Sequence, residues 1–163
     1  MADLLVRGAS QVLTMEGPGP ADLGVVEHGA VLIRDGRVTW VGPETLLPDG
    51  VGEVPQLDAG GGAVLPGFVD AHTHLVFAGD RADEHRARLS GDPYRTGGIM
   101  NSVAATRAAT TDELVDATRE RAEAALRQGT TTLEAKSGYG LDTETERRLL
   151  EVLATVAGQV PVR

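Results

Sequence analysis

The sequence predicts an α/β fold in two parts, a small all-β region followed by strand–helix units of a parallel sheet. Three observations support this prediction. Short β-branched runs separated by glycine and proline turns fill residues 1–62, and no helical period is found there. A nearly continuous apolar run begins at Ala63, as expected for a strand covered on both faces. Strand and helix patterns then alternate over residues 63–163.

Composition and charge narrow the class of protein. The net charge of −9 disfavours nonspecific binding to nucleic acids and to anionic membranes. No apolar run is long enough to span a membrane, and the N-terminus does not resemble a secretory signal. The chain has no cysteine, so neither disulfides nor thiolate metal ligands are available. These features suit a cytoplasmic protein that binds neither nucleic acid nor membranes.

The β region contains one strongly specified hairpin. The runs Gly29–Arg34 and Arg37–Val41 flank Asp35-Gly36, a dipeptide that readily supplies the positive φ angles of a two-residue turn. Residues 4–14 predict one strand or two strands broken by a glycine, and Val54–Leu57 predicts another short strand.

The α/β region begins with the apolar run Ala63–Val69, in which a Pro-Gly pair predicts a bend. We expect a long connection over residues 75–109, with one or two helical turns at Asp83–Leu89. Thr110–Gln128 predicts a helix, because it opens with a capping-box sequence and continues with an apolar stripe of helical period.

A second unit of the same kind follows. Thr130–Ala135 predicts a β-branched strand, Asp142–Ala157 a helix, and Val160–Arg163 the start of a further strand. A closed eight-stranded α/β barrel needs roughly 250 residues. The pattern therefore indicates either a small open α/β sheet or the front part of a larger protein.

Two histidines stand where the first α/β strand ends. His72 and His74 are two residues apart, so in a strand they lie on the same face and could bind one metal ion. Parallel α/β folds place their sites at this end of the strands. Neutral imidazoles suit zinc or iron, and Asp70 could orient them as a polar neighbour. The alternative is a pair of polar residues that only ends the strand.

Two further residues follow the same two strands. Arg81 carries a planar guanidinium that suits a substrate carboxylate, although a surface pairing with Asp80, Asp83 or Glu84 remains an alternative. Tyr139 lies between two glycines in the loop after the next strand, on the same face of the predicted sheet. Its alternative is a loop tyrosine that packs on the rim.

These motifs resemble a known family. Pro66–His74, preceded by a small β region, resembles the opening of the amidohydrolase superfamily. Asp70–Arg81 and Glu134–Leu141 narrow the resemblance to the imidazolonepropionase family of histidine degradation. The resemblance covers nearly the whole chain.

The resemblance implies a fold with defined parts. Residues 1–62 would be the N-terminal part of a composite β domain. Residues 63–163 would be the first βα units of a TIM-type barrel of the metal-dependent hydrolases, here truncated. The family is usually a cytoplasmic homodimer, which implies the same for the complete protein.

The resemblance also implies a reaction. The family hydrolyses 4-imidazolone-5-propanoate to N-formimidoyl-L-glutamate with one zinc or iron ion. His72 and His74 match metal ligands of the family, and Arg81 and Tyr139 match residues that contact the substrate. The family's other ligands and its proton-shuttling acid come from later strands. We therefore expect no catalytic residue in this chain, and we expect the isolated chain to be inactive and unstable.

Two other functions remain open at this point. The first is another amidohydrolase-superfamily activity, such as a deaminase or a different cyclic amidase. The second is a non-catalytic remnant that binds a metal or a partner.

Overall fold

The computed structural model describes residues 3–19, 21–91 and 98–163. The chain forms two compact units, Met1–Pro66 and Gly67–Arg163. The boundary thus follows Pro66 rather than Gly62, because Ala63–Val64 pair with a strand of the first unit. Within the described ranges, no helix is both long enough and apolar enough to cross a membrane.

The first unit is all-β except for one 3-10 turn at Glu44–Leu46. Its strands are β1 Leu4–Arg7, β2 Gln11–Leu13, β3 Val25–Glu27, β4 Gly29–Arg34, β5 Arg37–Pro43, β6 Gln56–Asp58 and β7 Ala63–Val64. They form a four-stranded sheet in the order β5-β4-β1-β6 and a three-stranded sheet in the order β3-β2-β7. The strand expected at Val54–Leu57 is therefore shifted toward Asp58.

The predicted hairpin is present, and it supplies the most buried strand of this unit. Asp35 and Gly36 have φ angles of 50° and 74°, which the two-residue turn requires. Val31 and Leu32 of β4 point to opposite faces. Each joins a different apolar cluster, so β4 is buried on both sides.

The second unit contains two strands and four helices. They are β8 Phe68–Thr73, α1 Ala82–Leu89, α2 Ile99–Ala108, α3 Thr111–Arg127, β9 Thr130–Ala135 and α4 Thr143–Ala157. The strands β8 and β9 pair in parallel. The core lies between α3 and α4, where Leu114, Leu149 and Val152 are fully buried.

Side-chain caps fix where α3 and α4 begin. The Thr110 hydroxyl accepts a hydrogen bond from the Glu113 N–H at 3.3 Å. The Glu113 carboxylate in turn accepts from the Thr110 N–H at 2.8 Å, which completes the predicted capping box. Asp142 caps α4 by accepting from the Thr145 N–H at 2.8 Å. Each cap satisfies backbone groups that a helix cannot pair internally.

Three expectations for the second unit need correction. The connection expected over residues 75–109 contains the helix α2. Val160–Arg163 is not a strand, although Arg163 exchanges backbone hydrogen bonds with Thr131 and Leu133 at 3.0 and 2.7 Å. The strand β8 is not covered on both faces, because Phe68 and Val69 are 53% and 68% exposed. The described residues form no closed barrel, which agrees with the expected first units of one.

Candidate metal and substrate site

The C-terminal end of β8 carries the two histidines side by side. The ring centroids of His72 and His74 are 5.4 Å apart, and the rings meet at 61°. Thr73, between them, is tied to the neighbouring strand. Its hydroxyl donates to the Glu134 carbonyl at 2.9 Å, and its carbonyl accepts from the Lys136 N–H at 2.8 Å. The pairing with β9 therefore holds both imidazoles at the strand end.

The backbone of the loop after β9 packs directly on His74. A Cβ atom at Gly138 would lie 2.7 Å from Cε1 and 2.9 Å from Nδ1 of that ring. Only a residue without a side chain allows this approach. The Nδ1 atom is buried and has no hydrogen-bond partner within the described part of the chain. A buried ring nitrogen without a partner is costly, and in the tautomer that leaves Nδ1 unprotonated its lone pair is open to a donor or a cation.

Tyr139 extends the aromatic cluster. Its ring centroid is 5.8 Å from that of His74, at an interplanar angle of 76°. It also contacts Phe77, with centroids 5.4 Å apart and an angle of 48°. The guanidinium carbon of Arg121 lies 3.6 Å from the Phe77 ring centroid. Arg121, Phe77, Tyr139 and the two histidines thus form one continuous series of contacts.

Two helices hold the loop that carries Tyr139. The Glu146 carboxylate of α4 accepts hydrogen bonds from the N–H groups of Gly140 and Leu141 at 2.7 and 2.8 Å. Arg107 of α2 donates to the Gly140 carbonyl at 2.8 Å and pairs with Asp142 at 3.0 Å. Both the N–H and the carbonyl of Gly140 are therefore hydrogen-bonded to side chains of these helices.

The electrostatics of this loop favour an ionised Glu146. Burial raises the pKa of the carboxyl group. The Ser137 hydroxyl and the N–H groups of Leu141 and Gly140 more than offset that effect, so the pKa lies below its ordinary value. The charged form is the one that accepts these hydrogen bonds.

Arg81 has a different environment. It precedes α1, and its Nε atom lies 3.5 Å from the Glu84 carboxylate. Glu84 also accepts from the Asn101 side chain at 3.1 Å. Arg81 therefore pairs with Glu84, which is one of the alternative partners that the sequence offers. Its contact with substrate stays a prediction.

Two imidazoles, those of His72 and His74, are the candidate metal ligands that the described residues bring together here. The Asp70 carboxylate accepts from the His72 N–H at 3.2 Å, so it acts as a local backbone partner here. Within the described ranges, no group of three or more His, Cys, Asp or Glu side chains is arranged to bind a metal ion. A structural or catalytic zinc site uses three or four protein ligands. The two imidazoles therefore fit part of such a set.

Sequence reasoning missed Phe77 and Arg121. A signal for Arg121 was present, since it falls on the apolar stripe of α3 between Thr118 and Ala122, both buried. A charged residue in a buried helical stripe needs specific partners. Phe77 gave no comparable signal, because nothing in its spacing indicates which ring it contacts.

Known proteins resemble this chain in sequence and in fold. No protein-family model matches the chain. An imidazolonepropionase from Salinispora arenicola is 52% identical over 157 residues, which cover 96% of this chain and 39% of the relative. An imidazolonepropionase from Mycolicibacterium smegmatis is 47% identical over 163 residues, which cover 98% of this chain and 40% of the relative.

The chain is a relative of the imidazolonepropionases. The resemblance that its motifs predicted is therefore confirmed. The chain spans about two fifths of the length of the imidazolonepropionases just named.

Solved structures support the fold. A mutant of atrazine chlorohydrolase TrzN from Arthrobacter aurescens TC1, complexed with zinc and atraton, matches with a TM-score of 0.72. The two are 20% identical, and the match covers 98% of this chain and 34% of that one. At this identity the likeness shows the fold alone. It is the amidohydrolase fold, and this imidazolonepropionase relative contains its first strand–helix units.

Proposed function

We propose that the whole protein hydrolyses the cyclic amide of 4-imidazolone-5-propanoate to N-formimidoyl-L-glutamate in histidine degradation. One observation carries the proposal. A His-x-His pair at the end of β8 contacts Tyr139 from the next strand's loop, within a chain that is 52% identical to an imidazolonepropionase over 96% of its length. The amidohydrolase fold places such residues at its reactive end.

His72 and His74 would hold a divalent ion, zinc or iron. Their ring centroids, 5.4 Å apart, are close enough for one nitrogen of each to share an ion at metal–nitrogen bonds of about 2.0–2.1 Å. The unpartnered, buried Nδ1 of His74 is consistent with a cation nearby. When bound, such an ion supplies a water of lowered pKa and a polarised amide carbonyl.

The other residues would bind and orient the substrate. Arg81 would exchange its partner Glu84, whose side chain is 15% exposed, for the propionate carboxylate, since a guanidinium binds a carboxylate through two parallel hydrogen bonds. Tyr139 would place its hydroxyl on the imidazolone ring or the propionate. Gly138 and Tyr139 would keep the His74 ring in place beside both groups.

The test is turnover by the whole protein expressed from its gene. We expect it to convert 4-imidazolone-5-propanoate into N-formimidoyl-L-glutamate, identified by mass spectrometry, and to lose this activity on chelation. His72→Ala and His74→Ala should lower both bound metal and turnover. A preference for cytosine or guanine would replace the proposal with a deaminase activity.

The proposal also includes a homodimer. Light scattering by the whole protein measures this oligomeric state.

The 163-residue chain provides a second measurement. Because it presents two imidazole ligands, we expect it to bind zinc weakly and to hydrolyse no substrate. Tight, stoichiometric zinc binding in a calorimetric titration would contradict this part of the proposal.

A further inference from the structure

Arg121 occupies a position where an arginine is costly. It lies on α3 between Thr118 and Ala122, whose exposed fractions are 0% and 2%. Half-burial removes water from the guanidinium, and this desolvation lowers the pKa of Arg121. A buried cation is retained where specific partners compensate it.

Glu120 favours the charged form of Arg121 by its negative charge. Among the described residues, the hydrogen-bond and ring partners of the guanidinium belong to the segment that follows His74. The guanidinium donates to the carbonyls of Leu75 and Phe77 at 2.8 and 2.9 Å. It also lies 3.6 Å from the centroid of the Phe77 ring, as in a cation–π contact. One side chain therefore fixes both the backbone of this segment and the ring of Phe77.

The segment is in direct contact with the candidate site. Phe77 packs against Tyr139 at 5.4 Å between centroids, and Tyr139 packs against His74 at 5.8 Å. A shift of Phe77 would remove the support on one flank of Tyr139. Since Tyr139 lies on a loop, its ring position depends on such contacts.

We propose that Arg121 is a positioning residue, which holds Tyr139 against His74 by clamping the backbone and ring of Phe77. The inference rests on the proposed function in one respect, namely that Tyr139 contacts the substrate. The positioning itself is a property of this chain and is measurable without substrate.

The first test is the NMR signal of the Tyr139 ring. In the whole protein labelled with 13C-tyrosine, the signal that disappears in Tyr139→Phe identifies the Tyr139 ring. We expect Arg121→Met to displace the Tyr139 ring signals, and Arg121→Lys to displace them less. Arg119→Met is the matched control, because Arg119 lies on the same helix and, in the part of the chain that the structure describes, its one ionic partner is surface Asp116.

The control should leave the Tyr139 signals at their unsubstituted positions. Unchanged signals in folded Arg121→Met, or an equal displacement by Arg119→Met, would overturn the proposal.

The second test is a double-mutant cycle on the whole protein. We expect Arg121→Met to raise KM about tenfold with little change in kcat, a size within the range for residues of one contact network. In a Tyr139→Ala background, the same substitution should have almost no further effect on KM. Equal effects in both backgrounds would mean that Arg121 only stabilises the fold, which would overturn the proposal.

The two tests separate this inference from the proposed function. If the whole protein does not act on 4-imidazolone-5-propanoate, the proposed function fails, and the NMR comparison still decides whether Arg121 positions Tyr139. If the enzyme turns over but the cycle is additive, the positioning role fails alone.

Discussion

Gly138 brings its backbone against the His74 ring, and its missing side chain is what allows this contact. A methyl group there would overlap the His74 ring, which is itself fixed at the end of β8. The neighbouring Tyr139 would have to move with the loop. The position therefore couples the local packing of the loop to the geometry of the imidazole.

Gly138→Ala should destabilise the whole protein by about 1–3 kcal/mol, the usual cost of forcing extra atoms into a packed site. It should also shift the imidazole signals of His74 in a proton–nitrogen correlation spectrum. Gly158→Ala is the control, because a Cβ there meets only the Thr155 carbonyl at an ordinary 3.6 Å. Equal unfolding free energies for the two variants in urea would contradict this account.

At this scale, the sequence identified the candidates but not their contacts. Strand period alone places His72 beside His74, and the structure agrees. The approach of Tyr139 to His74 depends on loop conformation, which no period encodes. For Arg81 the sequence was compatible with two partners, a substrate carboxylate or a nearby acidic side chain. The structure shows the pairing with Glu84.

At the scale of elements, α4 acts on the candidate site through its first turn. Glu146 accepts the N–H groups of Gly140 and Leu141, so the helix fixes the loop that presents Tyr139. These hydrogen bonds need an acceptor, and the ionised carboxylate is the stronger one. The attachment of the loop should therefore depend on pH.

Glu146→Gln should destabilise the whole protein at neutral pH and lose most of that effect in acid. The folded-state pKa of Glu146 lies below its ordinary value of 4.5. Its contribution is therefore present above that value and is lost as the pH falls through the depressed pKa. Urea unfolding of the unsubstituted protein and of Glu146→Gln across this pH range measures the difference between their free energies of unfolding. For Glu144→Gln, at an exposed position of the same turn, this difference should not shrink in acid.

The helices differ in how far the sequence predicts them. The capping box and apolar stripe of α3 are local signals, and both are present in the structure. The helix α2 has Gly98 as its N-cap residue and therefore no side-chain cap, and its buried face includes Ser102 and Thr106. The Thr106 hydroxyl donates to the Ser102 carbonyl at 2.7 Å and accepts from the Ala78 N–H at 3.0 Å. Polar residues buried in this way leave no apolar stripe to detect.

At the scale of the whole molecule, the alternation of strands and helices was sufficient to predict an α/β fold with its first units in order. The sequence could not show how β8 would be covered. Among the described residues its only partner strand is β9, and Phe68 and Val69 remain exposed. Parallel sheets are normally covered on both faces, and a two-stranded sheet is marginal by itself. The open side of β8 therefore presents unpaired backbone groups beside exposed apolar side chains.

This surface predicts how the 163-residue chain behaves in solution. An exposed apolar strand edge is a template for pairing with another copy, and a lysine placed on it opposes that pairing. Val69→Lys should therefore slow aggregation, measured by light scattering at equal protein concentration.

Leu150→Lys is the matched control, because Leu150 is a 53% exposed apolar residue on a helix rather than on a strand edge. Each substitution makes the net charge of −9 less negative, so each weakens the repulsion between copies by the same amount. Slower aggregation of Val69→Lys alone is then not a charge effect and assigns the association to β8. If Val69→Lys aggregates as fast as the unsubstituted chain, or if Leu150→Lys slows aggregation equally, β8 is not the surface through which copies associate.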